Sequence, residues 1–208
     1  MSFAANPLAR ASILAQILFT YPSAFLRLRG RVTPADFFTP LPQDDAANLH
    51  NKLREGWQRT LKAGRPSLFR AFVYAFGWQY VVYLLPLATK SACVLAQTQF
   101  LALLLTTLRV EDGNVVPPYL YALGLVLTGA GGALMHHTYF FQSWRGGMRM
   151  RLATICLLFE KSLSMRMDAL SAVSAGHIIT LAATDIERFQ KASQYVCYIV
   201  LAPLEAVA

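Results

Sequence analysis

From Ala71 to Leu108 the chain carries one charge, Lys90, in 38 residues, and from Pro117 to Trp144 it carries none in 28. A bilayer core of ~30 Å is crossed by roughly 20 apolar residues rising 1.5 Å each. Both runs exceed that length, the first by nearly twofold. Of the 208 residues, 55% are hydrophobic and 14% charged, against roughly 25% charged in an average globular domain. Too little polar surface remains to cover a water-soluble core. The expected fold class is an all-α membrane protein.

The net charge of +8 raises nucleic acid as a partner, because basic patches are the footprint of phosphate binding. The placement of the charge argues against it. Ten of the 19 Lys and Arg residues precede residue 71, and seven lie from Arg145 to Lys191. Basic residues flanking apolar spans follow the positive-inside pattern. That pattern implies a multi-pass membrane protein with a cytosolic N-terminus, a lipid partner and no nucleic acid. Cys93, Cys156 and Cys197 are too few and too scattered for a disulfide framework or a zinc site. Among apolar neighbours each behaves as a small hydrophobe.

Residues 1–66 read as a cytosolic or interfacial region. The first 35 residues hold four arginines and no acid, as a secretory signal or mitochondrial presequence would; "ASILAQILF" is short and is followed by "YPSAFLRLRGR" and not by a small-residue cleavage site, which argues against the secretory signal and leaves the presequence as an alternative. Leu14, Ile17, Leu18 and Tyr21 share one helical face and Ser12, Gln16 and Thr20 the other, as in an interfacial helix. "TPADFFTPLPQDD" is an extended connector, since three prolines cannot propagate a helix. Asp44 or Asp45 is placed to cap the helix that follows. That helix carries Leu49, Leu53, Trp57 and Leu61 as a stripe and ends at Gly64-Arg65-Pro66.

Residues 67–208 read as the membrane part. A first helix is expected over about 69–108. Two spans joined at Pro86–Lys90 are the alternative, but no turn chemistry occurs there and Pro86 would kink rather than end a helix. Asp112-Gly113-Asn114 and Pro117-Pro118 mark a turn and a new start. A second helix over about 117–163 runs past Arg145, Arg149 and Arg151, and "GAGG" at 129–132 allows close helix packing. A third starts near Gly176, with a mixed stretch "GHIITLAATDIERF" reading as helix continuing into water. From Ala192 its last 17 residues reach only ~25 Å, so the sequence stops short of a full crossing.

These segments together resemble the C subfamily (multidrug-resistance-associated branch) of ABC transporters. "NPLARASILAQILFTYPSAFLRLRGR" with "FFTPLPQDDAANLHNKLREGW" is similar to the family's N-terminal lasso and connector. "PSLFRAFVYAFGWQY" is similar to the entry of its first core membrane helix. "HHTYFFQSWRGGMRMRLATICLLFEKSLSM" is similar to the second helix and its intracellular extension. Gly176, Ile178, Ile179, Thr180, Leu181 and Asp185 match a family loop pattern, with Thr180 where Asn is usual. Ala202-Pro203-Leu204 matches the start of the third helix. The resemblance implies a lasso plus the first part of an ABC type-1 transmembrane domain, truncated. Its partners would be the missing membrane helices and nucleotide-binding domains.

The resemblance further implies ATP-driven efflux of amphipathic or conjugated organic anions, with ATP and Mg bound by the parent transporter. None of the 12 glycines is followed by Lys, so the phosphate-cradling GxxxxGK loop is missing and hydrolysis by this chain alone is not expected. By position, a coupling helix would span about Met165–Val173, using Met165, Arg166, Met167, Asp168 and Leu170. Lys90 is the expected substrate contact, since an ionisable group within a span tends to face an aqueous cavity; snorkelling to the interface is the equal alternative. Gln97 and Gln99 would add hydrogen bonds. His136-His137 diverge by about 100° on a helix, which favours packing over a shared metal. Trp78, Tyr80, Tyr83, Tyr139 and Trp144 are expected at membrane interfaces. Alternatives from other classes are a truncated or degenerate product without transport, or a membrane decoy that pairs with a full transporter.

Overall fold

The computed structural model describes residues 5–23, 37–109, 117–165 and 175–206. Among these the regular elements are helices, joined by short turns and an extended stretch over residues 37–41. The expected turn at Asp112-Gly113-Asn114 lies outside the described residues.

The N-terminal region is more broken than the periodicity predicts. Helix α1 (Pro7–Arg10) is capped by Asn6, whose side chain accepts from the Leu8 amide at 3.0 Å. Helix α2 (Ile13–Ile17) is capped by Ser12. It ends there because Phe19 turns left-handed, with φ of 52°. The expected face through Tyr21 is therefore interrupted, and Tyr21 and Phe19 swing onto Phe141 instead, at ring distances of 6.1 and 5.8 Å.

A 3₁₀ turn (Pro42–Asp44) leads into helix α3 (Ala46–Lys62). Asp45, not Asp44, is the cap, accepting from the Asn48 amide at 3.2 Å. Helix α3 ends in a Schellman turn. Gly64 sits at φ 67°, its amide bonding the Leu61 carbonyl and the Arg65 amide that of Thr60. The buried stripe is Leu49, Leu53, Gly56 and Thr60. Leu61, expected on that stripe, is half exposed. A strict spacing of four advances about 40° per step at 100° per residue, so Leu61 has rotated off the face that Leu49 defines.

Helix α4 (Leu68–Arg109) runs unbroken through Pro86 and Lys90. Helix α5 (Pro118–Ser164) follows. At 1.5 Å per residue their 42 and 47 residues make rods of ~63 and ~70 Å, about twice the bilayer core. They are, among the described residues, the two helices long and apolar enough to cross a membrane. Helix α6 (Ala175–Thr180), a π-helical turn (Leu181–Asp185) and helix α7 (Ile186–Glu205) form one rod in sequence.

Helices α4 and α5 run antiparallel, as their contacts show. Gly124 meets Phe100, Gly129 meets Gln97, Gly132 meets Cys93, and Gly146 meets Tyr83. The "GAGG" stretch thus does bring backbones together, as small residues permit in membrane helices. Helix α7 lies antiparallel on α5 through Tyr139, Ser143 and Gly147. One apolar cluster joins Leu49 and Leu53 of α3 to Ala71, Phe72 and Phe76 of α4 and Ala153 of α5. Phe189 of α7 closes it, edge-on to Phe72 at 5.1 Å. A second cluster is Tyr83, Leu87, Tyr139 and Cys197.

Trp78 and Trp144 point outward, at 76% and 47% exposure. Tyr83 and Tyr139 do not. They are 7% and 0% exposed, inserted where glycine and serine leave room between helices, and Tyr80 is half-buried beside Tyr83. The outer faces of α4 and α5 leave Leu85, Val126 and Leu127 more than 60% exposed. Apolar surface on this scale suits lipid or further helices and not water. The fold is an all-α membrane architecture.

Candidate functional site

Where the uncharged part of α5 gives way to Arg145, three elements are tied together by charge. The Asp44 carboxylate accepts from Arg145 Nε at 3.0 Å, from Arg145 Nη2, and from Arg149 Nε at 2.6 Å. Arg149 Nη1 also donates to Gln79 Oε1 at 3.3 Å, which brings in α4. The side chains of Arg149, Asp44 and Arg145 are only 5%, 14% and 18% exposed. Burial pushes the Asp44 carboxyl up, and the two guanidiniums more than reverse this, holding it below the usual carboxylate range. Arg145 and Arg149 lie one helical turn apart, so both reach one carboxylate.

Farther along α5, Glu160 makes a second tie to α3. His50 Nε2 lies 2.7 Å and Arg54 Nη2 3.3 Å from its carboxylate. Between the ties and α7 lies an apolar groove of about 520 Å³, lined among others by Trp57, Leu61, Leu157, Leu158, Ile186 and Phe189. Across α5 and α7, Ser143 and Ser193 each donate to the other's carbonyl, at 2.8 and 2.6 Å. Tyr139 donates to the Gln194 carbonyl at 2.6 Å. The charged extension of α5 is thus held to α3 through Glu160, and to α7 where Arg151 Nη1 donates to Gln190 Oε1 at 3.3 Å.

The chain aligns end to end with transporters. It is 26% identical over 215 positions to human ATP-binding cassette sub-family C member 4, covering 98% of this chain. The mouse counterpart is 23% identical over 98% of the chain. A fruit-fly protein named as a probable multidrug resistance-associated protein, lethal(2)03659, is 28% identical over 97%. The chain is related to the C-subfamily ABC transporters. No family model matches it. The chain spans 15–16% of the length of the curated relatives it matches.

The residues singled out from the sequence do not form one site. Lys90 is half-buried on α4, its carbonyl 4.0 Å from where a Cβ on Gly132 would sit. The Gln97 amide nitrogen lies 3.3 Å from where a Cβ on Gly129 would sit, and Gln99 is exposed. Met165 is half-buried just past the end of α5, whereas Arg166, Met167, Asp168 and Leu170 lie outside the described residues. Gly176 and Thr180 are exposed in α6, and Leu181 and Asp185 bound the π-helical turn. The Thr180 hydroxyl donates to the Gly176 carbonyl at 2.9 Å, and the Thr184 hydroxyl donates to the Thr180 carbonyl at 2.6 Å. π-Helical turns inside α-helices recur at functional sites. His136 turns its Nδ1 to the Tyr198 hydroxyl at 3.4 Å, and the His137 ring lies 5.9 Å from it.

Three features escaped sequence reasoning: the Asp44 clamp, the Ser143–Ser193 exchange and the role of Gly147. A Cβ on Gly147 would lie 2.7 Å from Ser193 Oγ and 2.8 Å from the Gln190 backbone. The Gly146-Gly147 pair inside a helix was the available signal, since glycine there costs about 1 kcal/mol against alanine unless packing needs it.

Proposed function

We propose that this chain forms the lasso, connector and first membrane helices of an ATP-driven exporter of amphipathic or conjugated organic anions. The observation that carries the reading is α5. It passes without a break from an uncharged span into a charged extension, and that extension is clamped to Asp44 in the turn before α3 and, through Glu160, to His50 and Arg54 of α3. A rod so braced transmits a push along its length. In this reading the segment Met165–Val173, with Arg166, Met167, Asp168 and Leu170, docks on a nucleotide-binding domain that binds ATP and Mg. The N-terminus lies on that same, cytosolic side.

The reading places Lys90 in the substrate pathway with Gln97 and Gln99 alongside. Its half-buried position on α4, at the level where the α4 backbone approaches Gly132 of α5, supports a role inward of the lipid. The test is uptake into inside-out vesicles by a transporter that carries this chain together with nucleotide-binding domains. ATP-dependent accumulation of a glutathione conjugate is expected. Lys90→Ala should raise the apparent KM for anionic substrates at least fivefold and leave neutral ones unchanged. An unaltered KM would remove Lys90 from the pathway. Cysteine labelling of position 165 from the side opposite to nucleotide would defeat the coupling assignment.

A further inference from the structure

A second cavity, of about 200 Å³, lies beneath the N-terminal region where it crosses α4 and α5. Its polar wall is Gln16, Gln43, Gln142, Arg145 and Arg149, and its apolar rim includes Phe19, Val82 and Phe141. Three features set its ligand chemistry. The first is charge. Among the described residues two guanidiniums share the single Asp44 carboxylate, so the described wall keeps one positive charge in excess while Arg149 is almost wholly removed from water. A buried charge without a counterion is costly, and an anion in the cavity would complete the balance. The second is an orphan acceptor. Gln142 Oε1 is closed off from solvent and has no hydrogen-bond partner among the described residues, and buried polar atoms are almost always paired. It calls for a ligand with a donor, such as a hydroxyl.

The third feature is the surroundings. Phe19, Tyr21 and Phe141 pack in a ring cluster at the rim, the aromatic type enriched where membrane meets water. Beside them Ile13, Leu14 and Leu18 are 54–77% exposed, an apolar ledge on which acyl chains can lie. We propose that this cavity holds the phosphate headgroup of an anionic, hydroxyl-bearing phospholipid. Arg145 and Arg149 would face the phosphate, Gln142 would accept from a headgroup hydroxyl, and the lipid would hold the N-terminal region on the helix pair. The site is separate from the transport pathway around Lys90 and rests only on the chain being a membrane protein.

The test is native mass spectrometry of the full chain extracted from vesicles of phosphatidylcholine with an equal amount of phosphatidylglycerol. Retention of phosphatidylglycerol over phosphatidylcholine by at least fivefold is expected. Gln142→Leu, which leaves the Asp44 clamp intact, and Arg145→Gln should each cut that preference at least threefold. Equal retention of both lipids, or a preference unaltered by both substitutions, overturns the proposal. A parallel arm measures the thermal midpoint with inorganic phosphate or with short-chain phosphatidylglycerol. A rise with the lipid alone supports a headgroup, whereas an equal rise with free phosphate overturns the lipid as the source.

Discussion

Ser143 on α5 and Ser193 on α7 exchange hydrogen bonds, each hydroxyl donating to the other's backbone carbonyl at 2.8 and 2.6 Å, with both side chains out of reach of solvent. Side-chain hydroxyls here let two helices approach until their backbones nearly touch. The approach depends on Gly147. A Cβ there would sit 2.7 Å from Ser193 Oγ and 2.8 Å from both Cα and the carbonyl oxygen of Gln190. Complementary shape and a symmetric pair of bonds add to the apolar contacts of Phe189 and Cys197 in holding helix α7.

Gly147→Ala is expected to lower stability by about 1–3 kcal/mol, the usual cost of forcing a methyl into a packed contact. Ser193→Ala should cost about 1 kcal/mol for the lost hydrogen bond. The double variant should not recover, because the Gln190 backbone remains in the way. Thermal midpoints in detergent would decide; recovery by Ser193→Ala would show that the hydroxyl alone sets the spacing.

Asp44→Asn leaves Arg149 buried beside a neutral partner. Breaking one side of a buried ion pair costs about 3–5 kcal/mol, so the connector should lift from α5. Hydrogen exchange over residues 37–62 should accelerate at least tenfold. The same tie has a pH signature. The folded carboxyl is held below its ordinary value, so its stabilisation is complete above the unfolded value of about 3.9. It is lost as pH falls through the lower folded value. Exchange should be unaffected by that tie between pH 7 and 5 and should rise only below about pH 4.

Glu160→Gln is expected to do much less. Its carboxylate is 39% exposed and Arg54 49%, and solvent-exposed pairs contribute about 0–1 kcal/mol. The midpoint should move by under a quarter of the shift given by Asp44→Asn. A comparable shift would mean that Glu160, and not Asp44, anchors α3.

Two glycines separate contact from conformation. A Cβ on Gly56 would lie 2.7 Å from the Ala71 carbonyl oxygen, a backbone atom with no freedom to yield. Gly64 has open space around it but a φ of 67°. Gly56→Ala should part α3 from α4 and quench energy transfer between probes on the two helices. Gly64→Ala should cost about 1–2 kcal/mol, the penalty of a left-handed backbone for an L residue, and leave that distance unchanged.

The long helices and the membrane class were legible because lipid imposes them one residue at a time. Charge-free length is a local property, and it can be counted along 71–108 and 117–144. Capping at Asp45 and the stop at Gly64 are equally local. The sharing of Asp44 by Arg145 and Arg149, the insertion of Tyr83 and Tyr139 between helices, and the seat of Ser193 on Gly147 join residues some 50 to 100 positions apart. Periodicity along one strand of text is silent about such pairs. Residue chemistry alone determined that these rods form and outlast a bilayer. Which faces meet, and which charges lose their water, was decided only in three dimensions, because close packing and desolvation depend on what the rest of the chain brings alongside.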